Sequence, residues 1–411
     1  MKSILLIGGG GYIGTVVIEH FVKLGFKVTI IDNFIYNHYS FLDKFFQNYN
    51  DVKVIKEDIT KIKNFKNILE SNNYVLGEEV RRFEKNFSKF HKSKFAVSTK
   101  NGTDSLVLAL KCLNIKKGDE VITTAHTALA TVASIVSVGA KPVIVDIEKD
   151  FYTIDPYQLK KAISKKTKAI IPVHIFGQLC DMKNIIKISN RYNLPIIEDC
   201  AQALGSKLGK KYAGTFGTIA CFSFYPTKNL GAIGDGGMII TNQKKLNDKI
   251  LKLRQYGWDR ERKAEITGIN TRLDEIQASI LNIKIKKLKN YNFKRNKIAN
   301  LYKTKIFNKK VILPKIRLNS YHSFHIFSIL VKNRKKFLKY LKQKNINLSI
   351  HYSRLTFLDK GYKKLCKFNL RNLKNASSLS KKTVSLPIYP ELKVNEVTKV
   401  INAINRYEKN K

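Results

Sequence analysis

Three short segments carry residue types that could do chemistry together. The first runs Cys221-Phe-Ser-Phe-Tyr-Pro-Thr-Lys-Asn-Leu-Gly-Ala-Ile-Gly-Asp-Gly-Gly237. The chain holds 76 Lys and Arg, so any one lysine is by default a solvated surface charge. Lys228 has a different setting: an apolar strand leads into it, Pro226 fixes the turn before it, and the glycine loop 234–237 follows. A lysine held at a strand end in partly apolar surroundings has a lowered pKa, which an amine must have to attack a carbonyl and form an imine. Ser223, five residues earlier, offers a hydroxyl to a phosphate. In the second segment, Pro195-Ile-Ile-Glu-Asp-Cys-Ala-Gln202, an apolar strand ends in carboxylates. Asp199 then stands where ligands of open α/β sheets bind, the plainer alternative being a helix N-cap. The third, Ser98-Thr-Lys-Asn-Gly-Thr-Asp-Ser105, is again a strand, a glycine turn and a helix start. Its backbone amides and the Thr103 hydroxyl make an anion site at a helix N-terminus. The three together supply an imine-forming lysine, a carboxylate and a phosphate cradle. Those are the requirements of pyridoxal phosphate, whose ring acts as an electron sink when a carboxylate keeps its nitrogen protonated.

The elements that must position these groups follow from period and punctuation. Residues 78–90 read as a helix with Val80, Phe83, Phe87 and Phe90 on one face. Short apolar strands follow at 95–98, 120–123, 142–146, 169–173, 195–197, 219–223 and 238–241, separated by helical stretches. Such alternation implies a mostly parallel sheet covered on both faces. From about residue 285 the pattern changes to Lys-rich helices with two or three strands, one of them at 324–331, which implies a smaller α+β domain. The Lys-dense stretch 284–297, with Ile285, Leu288 and Phe293 interleaved, is expected to be a solvated amphipathic helix.

The chain also starts once before this pattern begins. Apolar strands at 4–7, 27–31 and 52–55 enclose the turn Gly8-Gly-Gly-Gly11-Tyr-Ile-Gly14, and Asp32 ends the second strand, 18 positions after Gly14. That is a dinucleotide fingerprint in its proper context, with Gly8, Gly11 and Gly14 at the phosphates and Asp32 at a ribose. It resembles the start of extended short-chain dehydrogenases such as nucleotide-sugar epimerases, and Asp58-Ile-Thr60 extends the likeness. No Tyr-x-x-x-Lys pair follows, and half a nucleotide fold lacks a nicotinamide pocket. Packing against the rest of the chain, or a vestigial fusion, is therefore preferred over NAD binding.

Composition narrows the class. At 411 residues the chain is expected to hold two or three domains. Its net charge of +45 raises the question of nucleic acid, but the lysines are spread along the whole length rather than gathered on one face. Nucleic acid is accordingly not expected as a partner, although an anionic substrate would benefit. The five cysteines are scattered and lack a CxxC pair, so neither disulfides nor a metal site is expected. The longest apolar run near the start, residues 4–7, is far short of a signal or membrane segment, which points to a cytoplasmic protein without a membrane partner.

Residues 67–411 resemble the DegT/DnrJ/StrS family of sugar aminotransferases. Besides the lysine segment, the likeness rests on Asn101-Gly-Thr-Asp104, Ile171-Pro-Val-His-Ile-Phe-Gly177, Glu198-Asp-Cys-Ala-Gln202, Gly268-Ile-Asn-Thr-Arg-Leu-Asp-Glu275 and Ser385-Leu-Pro-Ile-Tyr-Pro390. It implies the α/β architecture of fold type I aminotransferases, with a cofactor-binding large domain (67–285) and a small C-terminal domain (286–411), preceded by the partial Rossmann βαβ segment (1–66) read from the glycine fingerprint. It further implies Lys228 as the Schiff-base lysine, Asp199 on the pyridine nitrogen and Gln202 near the ring hydroxyl. Gly102, Thr103 and Ser223 would hold the phosphate, and Asn270 would reach it from the second subunit of a homodimer. The implied reaction takes an amino group, from glutamate or another amino-acid donor, to a keto group of a nucleotide-linked deoxysugar. Two departures stand out. Ala128 replaces the aromatic residue many members stack on the cofactor, leaving either His126 as a substitute or a looser site. Arg354 and Thr356 replace a proline and a second histidine after His351-Tyr352. The alternatives are a sugar dehydratase of the same fold, whose members carry histidine in place of the lysine, and an NAD-dependent epimerase or reductase acting through the N-terminal segment.

Overall fold

The computed structural model describes residues 2–7, 18, 20–22, 24–32, 52–56, 68 and 70–408. The chain forms two compact units, Met1–Gly77 and Glu78–Lys411. In the first, strands β1 (Lys2–Ile7), β2 (Phe26–Asp32) and β3 (Val52–Lys56) make a parallel sheet in the order β1-β2-β3. This is the strand order of the first half of a doubly wound nucleotide fold. Asp32 closes β2 in register with Lys56. Gly8, Gly11, Gly14, Asp58 and Thr60 lie outside the described residues.

The second unit is built on a sheet of seven strands. β4 (Phe95–Thr99), β12 (Gly237–Thr241), β11 (Ile219–Ser223) and β8 (Ile197–Asp199) run side by side in that order. β7 (Thr167–Ile171), β5 (Glu120–Thr124) and β6 (Lys141–Val145) form a second group. Parallel bridges Ile170–Ile196 and Val173–Asp199 join the groups, and the Asp199 amide donates to the Pro172 carbonyl at 2.9 Å. Only β12 runs against its neighbours. β5 and β12 are buried along their whole length, which accounts for their apolar and Thr-rich sequences, the Glu120 carboxylate at the start of β5 being paired with Lys367 and Ser164.

Helices cover both faces. Helix α1 (Glu78–His91) buries Val80, Phe83, Phe87 and His91. Phe90 is only half-buried, so the four-residue step 83–87–91 sets the inward face and the expectation for Phe90 was one position short. Phe83 and Phe87 meet Phe222 and Phe224 edge to face, with centroids 5.0–5.4 Å apart. Helix α2 (Gly102–Cys112) lies against β11 and β12 and puts Leu106, Leu108, Ala109 and Leu110 into the core. Helix α3 (Leu129–Ser137) follows β5. Glu275, at the start of helix α4 (Glu275–Ile285), accepts the amides of Glu79 and Val80 at 2.9 Å each and so caps α1 across 195 residues of sequence.

Beyond α4 the stretch expected to be one solvated helix is two. It breaks at Lys286–Lys287, and helix α5 spans Leu288–Lys305. Leu288, Asn292 and Arg295 are buried, and Arg295 donates to the carbonyls of Phe324 and Ile388 at 3.2 and 2.7 Å. Of the three interleaved apolar residues, Phe293 alone is exposed. Short strands β9 (Lys207–Leu208), β10 (Lys211–Tyr212) and β14 (Ser320–Tyr321) pair antiparallel in the order β10-β9-β14. α5 and helix α6 (Val394–Arg406) flank an antiparallel sheet of β13 (Val311–Ile312), β15 (Phe327–Val331) and β16 (Thr383–Leu386) around a separate core that includes Tyr302, Phe327, Phe337 and Ile404. All five cysteines are free thiols, four of them buried, and among the described residues no helix is long and apolar enough to cross a membrane.

Candidate active site

The three segments singled out by residue type meet at one end of the seven-stranded sheet. Register does the positioning: Cys221 pairs with Asp199 across β11 and β8, Ser223 with Gly237 across β11 and β12, and Gly237 with Thr99 across β12 and β4. A cleft of about 400 Å³ opens there, walled by Gly102, Thr103, Asp199, Gln202, Ser223 and Lys228 among others.

The turn before α2 is held tightly. Asn101 caps the helix by accepting the Asp104 amide at 2.8 Å, and its carbonyl takes the Ser105 amide. The amides of Gly102 and Thr103 precede the first turn and so have no helical acceptor. Two glycines allow the close approach of Ser223 and β12. A Cβ on Gly102 would stand 2.7 Å from that of Ser223, and one on Gly237 would stand 2.3 Å from the Asn101 carbonyl oxygen. Gly102, Thr103 and Ser223 thereby come to line the same cleft, where their amides and hydroxyls could serve an anion.

Asp199 is buried on the cleft floor. One carboxylate oxygen accepts the Thr131 hydroxyl at 2.8 Å, and the other accepts the Ala201 amide at 3.1 Å. Burial pushes its pKa up, opposed by these two donors and by Lys228 and His174. The Ala201 contact is a two-residue side-chain turn, but no helix follows Asp199, so the plainer N-cap alternative does not hold, and Asp199 faces the cleft. Lys228 is half-buried, and its amide donates to the Tyr225 carbonyl at 2.8 Å. Desolvation brings its amine down to about 8, against the pull of Asp199. Gln202 is locked in orientation because its Oε1 accepts the Phe176 amide at 2.7 Å. Its Nε2 donates to the Tyr352 hydroxyl at 3.1 Å and keeps a second hydrogen.

This donor set fits pyridoxal phosphate. There is a bare-Cα cradle for the phosphate, a carboxylate with unused lone pairs for the ring nitrogen, an amide N–H for the ring hydroxyl and a partly deprotonated amine. Asn270 is not in the cleft. It is exposed and forms an isolated bridge with Gln255. Ala128 does line the cleft, while His126 packs behind it against Phe176 and Tyr352, so no aromatic ring from this segment covers the floor. Thr131 and Asp235 also wall the site and were not anticipated from sequence. Their signal, a small polar residue inside an Ala-rich helix start or a glycine loop, is shared by many inert positions. His174, Glu198 and Cys200 cluster as metal ligands would. Glu198, however, already accepts the amides of Gly214, Phe216 and Gly217, and His174 Nδ1 accepts that of Cys180, so their capacity is spent on holding loops.

Known proteins resemble this chain in sequence and in fold. The sequence profile of the DegT/DnrJ/EryC1/StrS aminotransferase family matches residues 55–405. A dTDP-3-amino-3,6-dideoxy-alpha-D-galactopyranose transaminase from Aneurinibacillus thermoaerophilus is 40% identical over 340 residues, covering 83% of this chain and 93% of the relative. A pleiotropic regulatory protein from Geobacillus stearothermophilus is 39% identical over 349 residues, covering 83% and 92%. The X-ray structure of S. venezuelae DesV in complex with a ketimine intermediate superimposes with a TM-score of 0.82 at 31% identity, covering 93% of this chain and 98% of that one.

Proposed function

The chain belongs to the DegT/DnrJ/EryC1/StrS aminotransferase family, and from that premise we propose that this pyridoxal phosphate-dependent transaminase delivers an amino group, taken from an amino acid such as glutamate, to a keto group on a nucleotide-linked deoxysugar. The observation that carries the reading is the meeting of Lys228, Asp199 and the Gly102–Thr103 turn around one cleft. The related dTDP-sugar transaminase supports the substrate class.

Bound pyridoxal phosphate supplies the carbonyl that receives the amino group and a cationic ring that takes up the electron pair left when a substrate carbon loses its proton. The chain's own residues do the rest. Lys228, with its amine near 8, is populated as the free base close to neutral pH, so Nζ can accept a proton from one carbon and return it to another. Asp199 would hold the ring nitrogen, the Gly102 and Thr103 amides with Ser223 would hold the phosphate, and Gln202 would donate to the ring hydroxyl. Leu106, Val173, Ala128 and Ala130 form the apolar wall that limits water. Asn270, exposed in one chain, would complete the phosphate site of a neighbouring subunit, which makes the working species a homodimer. An active monomer in sedimentation would contradict that assembly.

With glutamate as donor, 2-oxoglutarate should accumulate beyond one equivalent per site only when a dTDP- or UDP-linked ketosugar is supplied, and Lys228→Ala should abolish the release. Equal release without a sugar acceptor would overturn the assignment of the substrate class.

A further inference from the structure

Asp199 is buried, and one would expect such a carboxyl to favour its neutral form. We propose that Thr131 is the positioning residue that keeps Asp199 a hydrogen-bond acceptor, as the middle member of a one-way hydroxyl relay that begins at Thr127. This rests on the pyridoxal phosphate reading of the site given above.

The direction of the relay follows from counting hydrogens. Thr131 Oγ1 lies 2.8 Å from Asp199 Oδ2 and 2.9 Å from Thr127 Oγ1, and all three residues are buried. A threonine hydroxyl has one hydrogen. Thr131 must donate it to the carboxylate, so Thr127 must be the donor in the other contact. A protonated Asp199 donating to Thr131 would reverse both bonds, and Thr127 would then have to place its hydrogen elsewhere. Among the described residues its hydroxyl oxygen has no partner other than Thr131. The geometry thus favours an Asp199 Oδ2 that accepts from Thr131 over one that donates to it, and successive bonds pointing the same way polarise one another.

The start of the relay is anchored from a distant part of the chain. The Thr356 hydroxyl donates to the Thr127 carbonyl at 3.1 Å, and His126 Nε2 sits 3.3 Å from the His351 carbonyl and 3.4 Å from the Tyr352 amide. Thr356 stands where the family resemblance calls for a second histidine, so in this chain that position serves the ring carboxylate through Thr127.

The titratable groups facing Asp199 are Lys228, His174, Tyr352 and the thiols of Cys200 and Cys221, and changing Thr131 alters none of them. The test compares Thr131→Val, Thr131→Ser and Thr127→Val, each loaded with pyridoxal phosphate. Thr131→Val should bind the cofactor but lose kcat on the order of tenfold, as expected for a lost hydrogen bond to a charged group, with KM for glutamate little changed. The pH midpoint of the cofactor's visible band should rise, because an unprotonated ring no longer repels a proton on the lysine-linked nitrogen. Thr131→Ser should restore both values, and Thr127→Val should shift both in the same direction by less. Wild-type kcat and midpoint in Thr131→Val would overturn the proposal, as would a Thr131→Ser variant as impaired as Thr131→Val, which would indicate packing alone. Should Thr131→Val not fold, an unshifted midpoint in Thr127→Val would overturn the proposal by itself. A wild-type protein that forms no visible band with pyridoxal phosphate would instead defeat the cofactor reading on which the proposal rests.

Discussion

At the residue scale, Lys228 differs from the chain's other lysines by what surrounds it rather than by its own chemistry. Desolvation at the cleft lowers its amine to about 8, whereas a solvated lysine titrates near 10.4. The sign is fixed: the nucleophilic free base grows as pH rises through that value. Capture of pyridoxal phosphate by the apoprotein should accordingly speed up by about tenfold per pH unit below 8 and level off above it. Stopped-flow absorbance at several pH values checks this, and a midpoint near 10 would show that the amine is solvated. Lys228, Asp199 and the glycine turn were legible in sequence because each stands at or just beyond the end of a short apolar strand, where a polar or flexible residue breaks the pattern. Thr131 was not, since nothing in the sequence of 126–131 shows which of His126, Thr127 and Thr131 would meet a carboxylate 68 residues from Thr131.

At the element scale, the site depends on strand ends being brought closer together than ordinary side chains permit. Gly237 on β12 lies under the Asn101 carbonyl, where a methyl group would stand 2.3 Å from the oxygen. Gly237→Ala should therefore push the 99–103 turn away from Ser223 and weaken cofactor binding roughly tenfold or more while leaving the sheet folded, given that close packing around such a position forces local shifts of 1–3 kcal/mol. Equilibrium dialysis with pyridoxal phosphate, alongside circular dichroism, measures both quantities, and unchanged affinity in a folded variant would contradict this account of the turn. The strands were readable from sequence to within two residues at most boundaries, because buried parallel strands are short and continuously apolar. The Lys284–Lys297 stretch was misread for a related reason. Its charge pattern suggested a solvated face, yet Asn292 and Arg295 satisfy buried carbonyls of Leu204, Phe324 and Ile388 that lie far away in sequence.

At the scale of the whole molecule, the fold class follows from alternating strands and helices, and the function from three segments that topology alone brings to one sheet end. The excess of 45 positive charges adds an attraction for anionic substrates over the surface, which accords with a phosphate-bearing cofactor and a nucleotide-linked acceptor. Tertiary links such as the Glu275 cap on α1, the Thr356 tie to Thr127 and the placement of Asn270 outside the cleft have no local signature, and only the structure reveals them. The central claim is that one lysine among so many carries the cofactor. Borohydride reduction of the pyridoxal phosphate-loaded protein, followed by proteolysis and mass mapping, tests it directly: the account predicts a single stoichiometric pyridoxyl adduct on the peptide containing Lys228, whereas a wild-type adduct on any other lysine, with Lys228 unmodified, would contradict it.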